Sequence, residues 1–207
     1  MGTISEKLLD EYRNINVEHE EWWGCVYSDW IEKLAEKGIT TSADQMQFSG
    51  FWSQGDGASF TGHINLQRFM EVHALVDEYP GPYHFAKRDE VIADLVRSRS
   101  SHYCHEQTVH AELDDDCQVD WRAAEEGELR AVVDAAMFDQ YEESDDGLTD
   151  DIDRICRGYM QEFYRELEKE HDYLTSDEAV REWLEINEIF DDEDEEDEEE
   201  VTGVVEA

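Results

Sequence analysis

FSGFWSQGDGASFTG, residues 48–62, is the stretch that decides the fold. Before its turn, Met46, Phe48, Gly50 and Trp52 alternate with Gln45, Gln47, Ser49 and Phe51. After Gly55-Asp56-Gly57, Ala58, Phe60, Gly62 and Ile64 alternate with Ser59, Thr61 and His63. Period-two patterning on both sides of a Gly-Asp-Gly turn predicts an antiparallel hairpin over about residues 45–64, apolar on one face. Phe51 falls on the otherwise polar face, which makes it a candidate contact for a partner. The turn lacks the lysine of a phosphate-binding loop and joins two strands instead of opening a helix, so it reads as a hairpin turn.

Outward from the hairpin the period changes to that of a helix. Ser5 is placed to cap a short helix carrying Ile4, Leu8, Leu9 and Tyr12. Trp22, Trp23, Val26, Tyr27, Trp30, Ile31 and Leu34 predict a second helix over about 17–37, stopped by Gly38. Residues 66–76 read as a helix, and Tyr79-Pro80-Gly81-Pro82-Tyr83 as a rigid turn. Val91, Ile92, Leu95 and Val96 read as another short helix, and residues 101–113 as a third strand continuing the hairpin's sheet.

Two longer helices are expected next, one burying Leu129, Val132, Val133, Ala136, Met137 and Tyr141, the other Leu148, Ile152, Ile155, Tyr159, Phe163 and Leu167. Thr175 and Glu178 suggest a capping box for a last helix with Val180, Trp183 and Leu184. The fold class is α+β: a small antiparallel sheet with several acidic helices in one domain over 1–190, followed by a disordered acidic tail over 191–207.

Charge bounds the function. The chain of 207 residues carries a formal net charge of −40. The ten consecutive acids of residues 191–200 account for only a quarter of it, and residues 112–151 hold sixteen acids against Arg122 and Arg130. Self-repulsion on this scale opposes compaction and is relieved by salt, water or a basic partner. It equals the formal charge of roughly twenty base pairs of duplex DNA. Binding to nucleic acid or to an anionic membrane is thereby disfavoured. With 11% aromatic residues the chain has the bulk for a real core. No run approaches membrane-spanning length and no signal peptide is evident, so the expectation is a cytoplasmic protein with reduced thiols. Adaptation to high salt is the plain alternative account of the acidity.

Three stretches carry a resemblance: EWWGCVYSDWIEKLAEKGI at 21–39, QFSGFWSQGDGASFTGHI at 47–64, and YLTSDEAVREWLEINEIF at 173–190. In this order they resemble a family of small proteins encoded by bacteriophages and related mobile elements. Its hallmark is a block close to FSGFWSQGDGASFTG, preceded by a WW-x-x-VY-x-D helix and followed by a DEAV-type helix. Some members are labelled antitoxin-like, and no active-site residues come with the resemblance. It implies a phage origin and an intracellular setting. The long acidic middle and the acidic run depart from the family's pattern.

Catalytic chemistry has little support in the residues. No G-x-S-x-G occurs, and carboxylate pairs are too numerous to carry a signal, so a non-enzyme without cofactor is expected. His102, Cys104, His110 and Cys117 are the weak metal candidates; their spacing matches no usual structural-zinc signature. The acidic helices offer more. On the helix from Leu148, Asp150, Asp151, Asp153, Glu162, Glu166 and Glu170 are expected outward. Residues three or four apart on a helix lie about 5–6 Å from one another, close to the phosphate spacing of DNA.

The leading expectation is a phage-encoded inhibitor of a host defence protein, a restriction or CRISPR-type nuclease. It would mimic DNA and block a basic nucleic-acid-binding surface without binding nucleic acid itself. The residues expected to meet that partner are Asp114, Asp115, Asp116, Glu125, Glu126, Glu142, Glu143, Asp145, Asp146, Asp150 and Asp151, with Phe51 and the tail. The alternative is an antitoxin-like protein that neutralises one basic toxin or enzyme through the hairpin face.

Overall fold

The structure, a computed structural model, describes residues 3–18, 21–89, 92–98, 103–113 and 145–191. Among the described residues, six α-helices and two antiparallel sheets, of four and two strands, make the fold α+β, as the patterning predicted.

Strands β1 (Ile39–Thr40), β2 (Met46–Ser49) and β3 (Gly57–Phe60) come first. β2 and β3 form the predicted hairpin, with Met46 opposite Phe60 and Ser49 opposite Gly57. Met46, Ala58 and Phe60 are buried. The hairpin does not run on to residue 64. At Gly62 the chain leaves this sheet, and β4 (Gly62–Asn65) pairs instead with β1 and with β5 (Ile92–Arg97). Gly62 has φ +155°, and a Cβ there would lie 2.2 Å from the Thr40 carbonyl oxygen, so only glycine permits the crossing. Thr41 Oγ1 donates to the Thr61 carbonyl at 2.7 Å and fixes the seam.

The four-stranded sheet has the order β1-β4-β5-β6, with β6 at Val109–Leu113. Two expectations are corrected here. Residues 92–97 are a strand and not a helix: Ala93 and Leu95 are buried while Ile92 is exposed, a period of two. Ile92, Leu95 and Val96 have helical spacing, but in so short an apolar run this does not exclude a strand, and pairing with β4 and β6 on both sides decides for the strand. The strand expected over 101–113 is also shorter and joins β5, not the hairpin. Residues 106–108 form a 3₁₀ turn, where His105 Nδ1 accepts from Gln107 N at 3.2 Å.

Among the helices, α1 (Glu6–Glu11) and α2 (Gly24–Glu36) form where apolar spacing predicted, although α2 begins after Trp22 and Trp23 instead of at 17. α3 (Leu66–Val72) is capped by the Asn65 side chain, which accepts from Arg68 N at 2.9 Å. The rigid turn expected at 79–83 is instead the start of α4 (Pro80–Asp89). Pro80 and Pro82 occupy its first turn, where a backbone N–H has no helical acceptor and its loss is harmless. α5 (Asp145–Leu174) buries Leu148, Ile152, Cys156, Met160, Phe163 and Leu167 along one stripe. The helix expected around 129–141 lies outside the described residues.

The chain divides into two compact units. Residues 21–170 contain both sheets and a core in which Leu34, Ile39, Phe60, Ile64, Phe69 and Phe163 are fully buried. The described residues of the other unit, 3–18 and 171–191, include α1 and α6 (Asp177–Ile186), which share a small core of Leu9, Val180 and Leu184. Tyr12 stacks on Trp183 in this unit, with centroids 5.9 Å apart.

The cap of α6 is Ser176, whose hydroxyl accepts from Ala179 N at 3.3 Å; Thr175, expected in that role, donates to the His171 carbonyl instead. Asp191 accepts from the backbone N–H of Ser5 at 2.6 Å and from its hydroxyl at 2.7 Å. The first acid of the run is therefore part of this unit, while residues 192–207 lie outside the described set. No helix among the described residues is long and apolar enough to cross a membrane. Cys25, Cys104 and Cys156 are free thiols.

Candidate functional site

The loop joining β2 to β3 carries the most exposed large aromatic side chain among the described residues, Trp52, at 78% exposure. Its shape follows from local chemistry. The Asp56 carboxylate accepts from the backbone N–H of Trp52 at 3.0 Å and of Ser53 at 2.6 Å, closing the turn with a charge-assisted bond. Gly50 has φ +21°, and a Cβ there would stand 2.8 Å from that carboxylate. Tyr164 of α5 donates its hydroxyl to the Gly50 carbonyl at 3.1 Å, holding the bend against the helix. On the other side of the loop the Tyr103 ring lies against Gly55 and stacks near His105, with centroids 5.8 Å apart.

The bend at Gly50 slips the alternation by one residue and exchanges two side chains. Phe51, read as outward, is half-buried against Phe48, Trp22 and Tyr164, with centroids 5.8, 6.3 and 5.5 Å away. Trp52, read as part of the apolar face, is the one presented to solvent. Such stacked and tilted rings give the loop a firm base. Burial raises the Tyr164 phenol above its ordinary value, and the negative charges of Asp56 and Glu168 raise it further. The loop is thus an aromatic knob set beside carboxylates. Sequence reasoning missed Trp52, Asp56, Tyr103 and Tyr164 as a group; the Gly50–Asp56 pairing was the available signal.

The acids of α5 divide into two kinds. Asp150 and Glu162 are exposed. Asp151, expected outward, accepts from the Tyr79 hydroxyl at 2.8 Å and pairs with Arg154 at 2.5 Å, and these bonds hold its carboxyl below the usual range. Asp153 accepts from Ala111 N at 2.6 Å and pairs with Arg157 at 2.8 Å. Glu166 accepts from Trp30 Nε1 at 2.7 Å and pairs with Lys33 at 2.8 Å. These three carboxylates tie α5 to Tyr79, to the β6 backbone and to α2 respectively. Asp145 and Asp146 open α5. Asp114, Asp115, Asp116, Glu125, Glu126, Glu142 and Glu143 lie outside the described residues.

The two described metal candidates, Cys104 and His110, have other partners. Cys104 Sγ faces Gln47 Oε1 at 3.9 Å, and His110 Nε2 is engaged with Glu112 at 2.9 Å, while His102 and Cys117 lie outside the described residues. Among the described residues no three His, Cys, Asp or Glu side chains are grouped to hold a metal ion.

Fold and site together define an acidic α+β protein with a braced aromatic loop at the tip of its hairpin. The chain belongs to the family described as a domain of unknown function (DUF8835), whose family model matches residues 22–177. That match spans α2, both sheets and α5, and therefore the whole of the loop and its supports. No curated protein and no solved structure matches the chain.

Proposed function

We propose that this protein is a phage-encoded, non-catalytic inhibitor that occupies the basic nucleic-acid-binding surface of a host defence protein of the restriction or CRISPR type. Carboxylates would stand where DNA phosphates bind, steering association and pairing with Lys and Arg across the interface. The observation that carries this reading is the uncompensated charge: −40 overall, with Arg13, Lys33, Arg154 and Arg157 already paired to carboxylates within the fold. Solubility alone needs a net charge of only about 2–8.

The test is competition: titration of a restriction or CRISPR-type effector nuclease with DNA and the full chain at rising salt. Binding that excludes DNA and weakens steeply with salt supports the reading. Salt-insensitive binding away from the nucleic-acid channel overturns it.

A second reading, an antitoxin-like protein blocking one basic toxin or enzyme, is favoured by the exposure of Trp52 on a braced loop. A general mimic of the DNA backbone needs no aromatic anchor, whereas recognition of one partner uses such a residue. Neutralising exposed acids such as Asp150 and Glu162 while leaving the hairpin intact separates the two. The first reading predicts lost inhibition, the second retained inhibition.

A further inference from the structure

We infer that the outer face of α6 is a docking surface for a basic amphipathic helix of the partner protein, with Ile186 as the apolar anchor and Glu178, Glu182 and Glu185 as the charged flank. This rests on the proposal that the partner is basic, and says where it is met. In sequence, the charge is concentrated in the two stretches that contribute α1 and α6. Residues 1–20 and 171–207 hold 22 of the 56 acids and 3 of the 16 bases, a net −19 on 57 residues against −21 on the other 150. Like charge on that scale repels nucleic acid, an anionic membrane and a second copy of the chain alike.

The face itself is only partly used. α1 and α6 bury Leu9, Val180 and Leu184 between them, and Trp183 is stacked on Tyr12. Ile186 lies off that stripe and is 74% exposed. Glu178, Glu182 and Glu185 are exposed as well. Residues three or four apart on a helix stand about 5–6 Å from one another, so these carboxylates and Ile186 share one side of α6. Among the described residues none of the three carboxylates enters a hydrogen bond or ion pair, and Arg181, the one cation of α6, pairs with none of them. Asp177 and Asp191 are different: Arg13 and Ser5 already hold them, and they take no part in this surface.

The backbone beneath the face is fixed at both ends. Ser176 caps its start, Asn187 Nδ2 donates to the Trp183 carbonyl at 2.8 Å, and the Ile189 N–H closes on the Leu184 carbonyl at 2.9 Å, with Glu188 at φ +57°. A partner therefore meets a preformed helix and orders little of it on binding.

The chemistry of the occupant follows from what lies side by side. Covering Ile186 is favourable in proportion to the apolar area removed from water. The carboxylates beside it lose water in the same step, which is costly unless a cation replaces it. A segment with apolar side chains and Lys or Arg at helical spacing meets both needs, as amphipathic helices do when they lay one face against an apolar surface. A wholly apolar segment leaves the carboxylates dry and unpaired, and a wholly polar one leaves Ile186 uncovered.

The experiment measures binding of the full chain to a fluorescein-labelled amphipathic Lys/Leu helical peptide by anisotropy at several salt concentrations. A scrambled peptide of the same composition, whose leucines share no helical face, is the control. The amphipathic peptide is expected to bind more tightly. Ile186→Ser should weaken its binding about tenfold, leave the affinity for the scrambled peptide unchanged and keep the salt slope. Glu182→Gln combined with Glu185→Gln should weaken both peptides and flatten the salt dependence. All three side chains are exposed, so thermal unfolding of each variant should match that of the wild type.

Equal affinity of wild type and Ile186→Ser for the amphipathic peptide, or equal wild-type affinity for the two peptides, overturns the inference. Binding that depends steeply on salt while both sets of α6 variants are silent removes this surface and leaves the charge-based function standing. Binding that ignores both salt and the glutamate changes removes the basic partner, and the inference with it.

Discussion

Trp30 and Trp52 are the same residue in opposite settings. Trp30, on α2, is 3% exposed, donates its indole N–H to Glu166, carries Lys33 over its ring and packs on Phe163. Trp52, on the hairpin loop, is 78% exposed and stands edge-on to Phe51, with ring centroids 5.9 Å apart. In the first region the fold supplies every counter-group itself. In the second it braces the backbone and leaves the ring outside. The difference separates aromatic residues buried in the core from one whose ring is largely exposed, a distinction that counting aromatics cannot make.

The largest effect is expected where the interior region is cut. Phe163→Ala removes a fully buried ring between Tyr27 and Trp30 and should cost about 3–5 kcal/mol in urea unfolding. A cost below that of an exposed substitution would break the comparison at its base. Glu166→Ala comes next. It leaves the buried Trp30 N–H without its acceptor and frees Lys33, for an expected loss of about 1–3 kcal/mol, read from the same transitions.

A pH series sharpens the interior side further. His73 Nδ1 faces the Phe69 carbonyl at 2.7 Å and its Nε2 the Tyr159 hydroxyl at 2.7 Å. The Nδ1–H tautomer satisfies both, with Tyr159 donating to Nε2. Burial holds the imidazole below its ordinary value; the Phe69 carbonyl opposes that shift and Lys37 adds to it. The folded state thus takes up a proton less readily than the unfolded chain. Its contribution to stability is complete above the unfolded value of about 6.5 and is lost as pH falls below it. His73→Phe should flatten the fall in stability between pH 7 and 5, and an unchanged slope would count against this assignment.

The smallest effect closes the comparison. Trp52→Ala should alter stability by no more than about 0.5 kcal/mol, so a large stability loss would show that the loop's ring is structural after all.

Much of the interior side was legible in the residues. The turn at 55–57, the alternation from Met46 to Phe60, and the stripes of α2 and α5 follow from periodicity alone, because burial of one face imposes the period. The candidate site was less legible. Period-two reading assigned Phe51 outward and Trp52 inward; one bend at Gly50 reversed them, since a slip of one residue in a strand moves each following side chain to the other face. Residues 92–97 were read as a helix because a short apolar run fits either period, and partners far along the chain decided otherwise. Pro80 was read as a turn because its place in a helix depends on being first. The acids of α5 were read as an outward row at phosphate-like spacing, yet Asp151, Asp153 and Glu166 are taken by Tyr79, Ala111 and Trp30, contacts made only when α5 packs.

By itself the sequence determined the α+β class, the hairpin and the amphipathic helices, because these depend on composition and local period. The tertiary structure decided which tryptophan faces out, which carboxylates are already used and where the chain crosses between sheets. These depend on single backbone torsions at Gly50 and Gly62 and on groups that meet only across long separations in sequence.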